Sequence, residues 1–367
     1  MSRIRVAVIF GGRSAEHEVS CVSAKHVVAA MDPAKYEVIP IGIARDGRFM
    51  LPESSRKVLE GGDLEVPEEA FEAIGEPVTI LQDPTRRELV ASERTSAIDP
   101  ARIDVVFPVL HGPYGEDGTV QGLLELADIA YVGAGVLGSA VGMDKEMMKI
   151  LLQARGLPVP DFVIFHDHEF KGERSRCVEE AADLGFPCFT KPANLGSSVG
   201  ISKCHNLDEL EAGIADAFRY DRKVIVEEAI VGRELECGVL GNEVPEASVV
   251  GEVVAEREFY DYIAKYKDEG SRTIIPADIP DPVEQIVRRY AVRAFKAIDA
   301  SGMARVDLFY DASGRGVVVN EINTIPGFTP ISMYPMLWAA SGVDYRQLID
   351  RLIQLAIDRH ASKPRPQ

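Results

Sequence analysis

Apolar and polar positions alternate between two periods along this chain, and the change of period marks its elements. Ile4 to Phe10 is a continuous apolar run ending at Gly11-Gly12, and Ser14 to Ala29 follows with helical spacing, which predicts strand, glycine turn and helix. Tyr36 to Ile43 reads as a second strand, and Asp104 to Leu110, ending in His111-Gly112, as a buried third. Between them, Arg45 to Pro100 is polar, acid-rich and broken by Pro and Gly, the pattern of an insertion with little functional content. Gly118 to Leu126 predicts an amphipathic helix, Ile129 to Val132 a short strand, and Asp144 to Ala154 a further helix.

The second half repeats the alternation. Phe186 to Lys191 and Lys223 to Glu228 read as strands, while Pro282 to Ser301 and Tyr345 to His360 carry apolar residues at helical spacing. The stretch Ala304 to Phe328 predicts a β-hairpin: Val306, Leu308 and Tyr310 alternate with Asp307 and Phe309, a turn spans Asp311 to Gly316, and Val317 to Val319 resume the run. Strands alternating with helices in this way make an α/β protein.

Composition narrows the function. At 367 residues the chain exceeds one ordinary core, so two or three domains are expected. A net charge of −18 argues against nucleic acid or anionic membrane as a partner, because both require basic surface. Cys21, Cys177, Cys188, Cys204 and Cys237 are scattered without a CxxC pair, which fits reduced thiols in a cytoplasmic protein. No apolar run is long enough to span a bilayer, and Met1 to Arg5 leads straight into the first strand without a leader-like segment.

The hairpin holds the strongest candidate chemistry. Pairing its strands brings Asp307 close to Glu321 and Asn323, and residues two apart on a strand share a face. Two carboxylates and an amide, with no His or Cys among them, suit a hard cation such as Mg²⁺ held jointly with phosphates. Arg305, two residues before Asp307, adds a fork of donors for phosphate oxygens. Asp307 and Glu321 could equally be solvated acids on an exposed hairpin, but their Val- and Leu-rich setting demands a partner or a metal.

Elsewhere the residues leave alternatives open. Glu16 stands just past the carboxyl end of the first strand, where α/β sheets bind ligands, or is an acid favoured by a helix dipole. His111 ends a strand before a glycine-rich turn, placed for a ligand or for structure. Lys145 opens a helix against its macrodipole and is either a solvated lysine or an anion contact. Lys191 leads into Pro192 to Gly200, PANLGSSVG, which reads as a phosphate cradle or a flexible linker. Phe259 to Tyr266, rich in tyrosine, reads as a lid or an edge strand. His166 and His168 lack a third ligand nearby and are assigned to a structural loop.

Taken together, GGRSAEHEVS, HGPYGEDGTVQG, KPANLGSSVG, YDYIAKY and NEINTIPGFT resemble the D-alanine–D-alanine ligases of the ATP-grasp superfamily, in order, from Val6 to about Leu348 apart from Arg45 to Pro100. The resemblance implies a three-domain ATP-grasp fold with a Rossmann-like N-terminal domain: residues 1–135, 136–229 and 230–367, with ATP gripped between the last two. It implies that Lys145 and Lys191 hold ATP phosphates, that Glu227 and Ile230 face adenine, and that Glu234 meets the ribose. Lys265 would reach the γ-phosphate from a closed lid, and Asp307, Glu321 and Asn323 would bind two Mg²⁺ ions, for which Mn²⁺ can substitute.

Glu16 resembles the residue that takes the amino group of a first D-alanine, with His111 beside its carboxylate. Glu16, Ser197 and Tyr266 match a triad tying the lid to the first domain. Arg305 and the Gly327 N–H match groups that polarise the acyl carbonyl, and Ser332 and Met333 would face the second D-alanine. Relatives that form depsipeptides differ in the lid and carry a basic residue where Met333 stands, so an amine nucleophile is expected here. The resemblance also implies a homodimer in the cytoplasm. Another carboxylate–amine ligase sharing the ATP site, and an inactive nucleotide-binding regulatory module, are the competing classes.

Overall fold

The computed structural model describes residues 3–60, 77–91, 101–196, 199–255 and 271–364. Four strands form a parallel sheet in the order β2 (Tyr36–Ile43), β1 (Ile4–Gly11), β6 (Val105–Val109), β7 (Ala130–Tyr131). β1 leads to β2 on one side and the chain then crosses to β6 on the other, so the order reverses at the β1–β6 boundary, where α/β sheets bind ligands. Its unbroken apolar pattern has a physical cause: both faces are covered. Val6, Val8 and Phe10 point into one core, Ala7 and Ile9 into another, and all are fully buried.

The segment expected to be a polar insertion contributes to that second core. Helix Pro52–Glu60 and the antiparallel strands β3 (Val78–Ile80), β4 (Glu88–Ala91) and β5 (Ala101–Arg102) bring Val78, Ile80 and Leu89 against Ile9 and Ile41, while Met50 and Val58 join the first core. These apolar residues are spaced too sparsely among acids for a run to show in the sequence, yet each docks on an existing sheet face.

A second sheet, all antiparallel, runs β10 (Ser202–Cys204), β9 (Cys188–Pro192), β11 (Lys223–Glu228), β8 (Phe162–His166). Its one face, through Cys188, Cys204, Val224 and Val226, packs on helices that include Arg174–Ala182 and Leu207–Ala217. The third sheet, also antiparallel, runs β14 (Ser271–Ile274), β13 (Glu246–Ala255), β12 (Arg233–Gly241), β15 (Gly302–Asp311), β16 (Gly316–Asn323). Helix Asp281–Ala297 covers it, with Val287, Ala291, Ala294 and Phe295 fully buried at the predicted spacing.

The last helix, Tyr345–Ser362, starts in a capping box in which Asp344 accepts from the Gln347 N–H and the Gln347 side chain accepts from the Asp344 N–H. It packs on the first sheet and on the adjoining ends of β12 and β15: Leu348, Leu352 and Ile353 share a core with Val6 and Phe107 and with Leu240 and Met303, and Arg359 donates to the Gly133 carbonyl at 2.7 Å. The first and last parts of the chain are therefore one packed body. Among the described residues, no helix is long and apolar enough to cross a membrane.

Candidate active site

The late hairpin forms as its alternation predicts. In the β15–β16 ladder Asp307 stands opposite Glu321 and Arg305 opposite Asn323, and the register then shifts by one, so that Leu308 faces Val319. Asn320 is the extra residue of a β-bulge, which turns Glu321 relative to the regular pleat. Asp307 accepts both Nε and Nη2 of Arg305 at 2.7 and 2.6 Å, and the Asn323 amide at 3.0 Å. From the neighbouring strand, Glu236, paired in register with Asp307, comes within 2.9 Å of Arg305 Nε. Burial alone would lower the guanidinium's pKa; Asp307 and Glu236 reverse that and raise it, so it stays charged.

The second sheet supplies lysines. On β9 the face alternates, with Cys188 and Thr190 buried in the helix-covered core and Lys191 on the other side. Lys191 Nζ bonds Glu227 of β11 at 2.6 Å, and Lys149 Nζ lies 3.1 Å from the other oxygen of the same carboxylate. Burial would raise the Glu227 pKa, but Lys149 and Lys191 outweigh it and hold it at about 2. Helix Lys145–Ala154 is capped by Asp144, which accepts the Glu146 and Met147 N–H groups and also pairs with Lys223. Lys145 Nζ donates to the Leu195 carbonyl at 2.6 Å and its N–H to the Ala193 carbonyl, tying it to the loop after β9. Burial lowers the Lys145 pKa against the opposing pull of Glu321, so the two groups sense each other across the cleft.

The first sheet contributes its carboxyl edge. Gly11 has φ +88°, and a Cβ there would stand 2.4 Å from the Ile43 carbonyl, so the turn that presents Glu16 requires glycine. Glu16 occupies the N-cap of helix His17–Ala30, and its Oε2 is 3.3 Å from where a Cβ of Gly112 would lie and 3.4 Å from one at Gly196. It therefore reaches both the β6 turn and the loop after β9. His111 is 4% exposed; its Nδ1 meets the Ile325 carbonyl at 3.1 Å and Glu116 at 3.6 Å, and its Nε2 is buried with no hydrogen-bond partner. Burial pulls the His111 pKa down, but the bond to Glu116 and the charge of Glu16 raise it above the ordinary value. Glu116 is itself raised, first by burial.

One polar cavity is lined by Glu16, His111, Glu116, Lys145, Arg305, Glu321, Asn323 and Gly327. A second, apolar cavity of about 280 Å³ is also lined by His111, with Gly12, Leu110 and Tyr114. Three sheets thus converge on the first cavity, while Lys191 and Glu227 stand behind Lys145. Glu234 is exposed on β12 and near enough to raise the Lys191 pKa, and Ile230 is half-buried just beyond β11. Ser332 stands at the N-cap position of helix Met333–Ala340, its hydroxyl bonding Thr329, and Met333 is buried with its methyl end toward Gly251 of β13; neither lines the cavity. Ser197, Lys265 and Tyr266, and with them the Phe259 to Tyr266 lid reading, lie outside the described residues. His166 and His168 end β8 and open the next helix, their ring centroids 5.8 Å apart.

Sequence reasoning passed over three charged residues of the site. Lys149 lies four residues after Lys145, on the same helix face. Glu236 lies two after Glu234, on the same strand face. Glu116, inside the quoted HGPYGEDG run, needed the His111 contact to acquire a role.

For a metal, the donor set is a partial one. Among the described residues no three His, Cys, Asp or Glu side chains cluster as a cage. Asp307 and Glu321 offer two carboxylates and Asn323 an amide, so an ion there takes its remaining ligands from phosphate and water, which suits Mg²⁺ rather than a protein-caged metal.

Comparison with known proteins gives matches along nearly the whole chain. The family described as D-ala D-ala ligase N-terminus matches residues 5–134, and that described as D-ala D-ala ligase C-terminus matches residues 151–354. The D-alanine–D-alanine ligase of Kineococcus radiotolerans is 51% identical over 97% of this chain and 97% of its own, and that of Geobacillus thermodenitrificans 49% over 98% and 97%. Among solved structures, the VanG D-Ala:D-Ser ligase of Enterococcus faecalis superposes with a TM-score of 0.84 at 39% identity, covering 97% of this chain and all of that one. The D-alanine–D-alanine ligase of Coxiella burnetii gives 0.83 at 38%, covering 98% and 96%. With family matches on both halves and near-complete coverage at about half identity, this chain belongs to the D-alanine–D-alanine ligase family.

Proposed function

We propose that this chain joins two molecules of D-alanine into D-alanyl-D-alanine at the expense of ATP, through an acyl phosphate, for peptidoglycan precursor synthesis. The observation that carries this reading is the single cavity in which Glu16 and His111 meet Lys145 and the Arg305, Glu321 and Asn323 group. A carboxylate binder, a phosphate binder and a hard-cation donor set are what such a coupling needs in one place. The three sheets are the cores of a three-domain ATP-grasp fold, with a Rossmann-like N-terminal domain over residues 1–135 and ATP held between 136–229 and 230–367.

The roles divide by chemistry. Glu16 takes the amino group of the first D-alanine and His111 stands at its carboxylate, whose oxygen attacks the γ-phosphoryl group of ATP. Lys145 and Lys191 hold the phosphates, with Lys265 completing the set; Glu227 and Ile230 face adenine, and Glu234 the ribose. Asp307, Glu321 and Asn323 would hold two Mg²⁺ ions, which neutralise phosphoryl charge when bound. The amine of the second D-alanine then displaces phosphate; Ser332 and Met333, which do not line this cavity, are assigned to that substrate by the family resemblance alone. Arg305 and the Gly327 N–H steady the tetrahedral oxyanion, each such donor contributing about 3–4 kcal/mol. No protein nucleophile is required: orienting the reactants supplies roughly 7–11 kcal/mol. An acyl phosphate hydrolyses if wet, so a lid tied by Ser197 and Tyr266 to Glu16 serves the chemistry.

Exposed Leu126 and Leu137, 66% and 59% accessible on the adjoining helices Thr119–Leu126 and Val136–Met143, support a homodimer. An acidic chain with free thiols and, among the described residues, no helix long and apolar enough to cross a membrane fits the cytoplasm.

The test is an assay of ADP release with ATP, Mg²⁺ and D-alanine, D-serine or D-lactate as second substrate, with the product identified by mass. D-alanine-dependent ADP release yielding the dipeptide is expected. Release that ignores D-alanine, or a mixed product dominating the dipeptide, as the similarity to a D-Ala:D-Ser ligase makes a fair challenge, overturns it.

A further inference from the structure

Lys149 is 1% exposed and makes two contacts that join separate sheets. Its Nζ lies 3.1 Å from Glu227 on β11 and donates at 3.0 Å to the carbonyl of Asn320, the bulge residue directly before Glu321 on β16. Glu227 is thus a single carboxylate shared by two ammoniums, and the two are not equivalent. Lys191 approaches at 2.6 Å with 13% of its side chain accessible. Lys149 is locked in mid-helix by its second bond.

We propose that Lys149 is a positioning residue: it is the resident counter-ion of Glu227, which lets Lys191 leave that carboxylate for a nucleotide phosphate. The inference rests on the reading that Lys191 binds phosphate. To do so Lys191 must give up its bond to Glu227. With one lysine alone, that move would strand a buried, uncompensated carboxylate, a strongly unfavourable state. With Lys149 in place, Glu227 keeps an ion pair throughout, and the Lys191 ammonium is released at little cost. Affinity for ATP then scales with the fraction of molecules in which Lys191 is free to move. The bond to Asn320 keeps Lys149 from following its neighbour, and couples the lysine side of the cleft to the bulge that aims Glu321.

A double-substitution cycle in the full-length protein tests this. Lys149→Met should raise the KM for ATP about tenfold and weaken ADP binding in calorimetry by a similar factor, while kcat moves less than about threefold. In a Glu227→Gln background, where no carboxylate clamps Lys191, the same Lys149→Met change should leave KM and ADP affinity within about threefold of the Glu227→Gln protein. Equal loss in both backgrounds, or no loss in either, overturns the proposal. Lys149→Gln, which keeps a donor for Asn320 but removes the charge, replaces Lys149→Met should that variant not fold, and should raise KM in the same way. Lys191→Met separates the two readings. If it leaves ADP affinity intact, the phosphate role of Lys191 fails; if it weakens ADP binding while Lys149→Met does not, the counter-ion role alone fails.

Discussion

The two walls of the cleft carry inverse charge arithmetic. On the lysine wall, Lys191 of β9 and Lys149 of helix Lys145–Ala154 share one carboxylate, Glu227 of β11, while Lys145 of the same helix and Lys149 donate to the Leu195 and Asn320 carbonyls. On the third sheet one guanidinium, Arg305, is shared by Asp307 and Glu236, with Glu321 directly across the ladder. Each wall therefore holds more groups of one sign than of the other, three lysines to one carboxylate on the first and three carboxylates to one guanidinium on the second; in the proposed function these walls face phosphates and divalent cations respectively. In a chain of net charge −18, the grouping of Lys145, Lys149 and Lys191 makes a locally positive surface. The shared ion on each wall keeps the excess groups ordered before any ligand arrives.

The difference can be broken from either side. Glu321→Gln removes one charge of the excess on the acidic wall and should lower kcat by about 10³-fold, because in the proposed function the transferring phosphoryl group loses cation support; ADP release at saturating ATP is the measurement. Near-normal turnover would sink the metal assignment. Lys191→Met removes excess charge on the basic wall and should act on binding instead, raising the KM for ATP by about 10–100-fold, as loss of a charge-assisted bond does, with a smaller change in kcat.

A milder probe uses pH. The Glu227 carboxyl is held at about 2 in the folded chain against an ordinary 4.5. A depressed carboxyl stabilises the fold above its unfolded pKa, and that stability is lost as pH falls toward the folded value. Urea melts at pH 5 and pH 3 should therefore show the parent losing about 1–2 kcal/mol more than Glu227→Gln over that interval. An equal loss in both proteins would place the anchoring of the lysine wall elsewhere. The smallest effect belongs to an ion pair outside the cleft: Arg219→Ala breaks an exposed i,i+3 pair with Asp216 and should leave both the melt and the turnover unchanged within error.

The hairpin was legible because everything it needs is local. A period of two and a short turn place Asp307, Glu321 and Asn323 together whatever else the chain does. The bulge at Asn320 was not legible, since one unpaired residue leaves no mark on an alternating pattern. Glu236 was missed because β12 pairs with β15 across some seventy residues, and pairing at such range has no signature in composition. The acid-rich stretch after Arg45 was expected to contribute little, yet Met50, Ile80 and Leu89 are buried in the cores of the first sheet. Their isolation among polar residues hid a docking role that depends on a partner surface formed elsewhere.

By itself, then, the sequence determined the local periods, the glycine turn before Glu16 and the grouping of oxygen donors on one hairpin face, since these follow from backbone sterics over a few residues. Only the tertiary structure decided which charges share a partner: that Lys149 and Lys191 meet on one carboxylate, that Arg305 bridges two acids, and that the last helix returns to the first sheet. The physical reason is that burying an ion is tolerable only against an opposite charge, and the identity of that charge is fixed by packing between segments far apart in the chain.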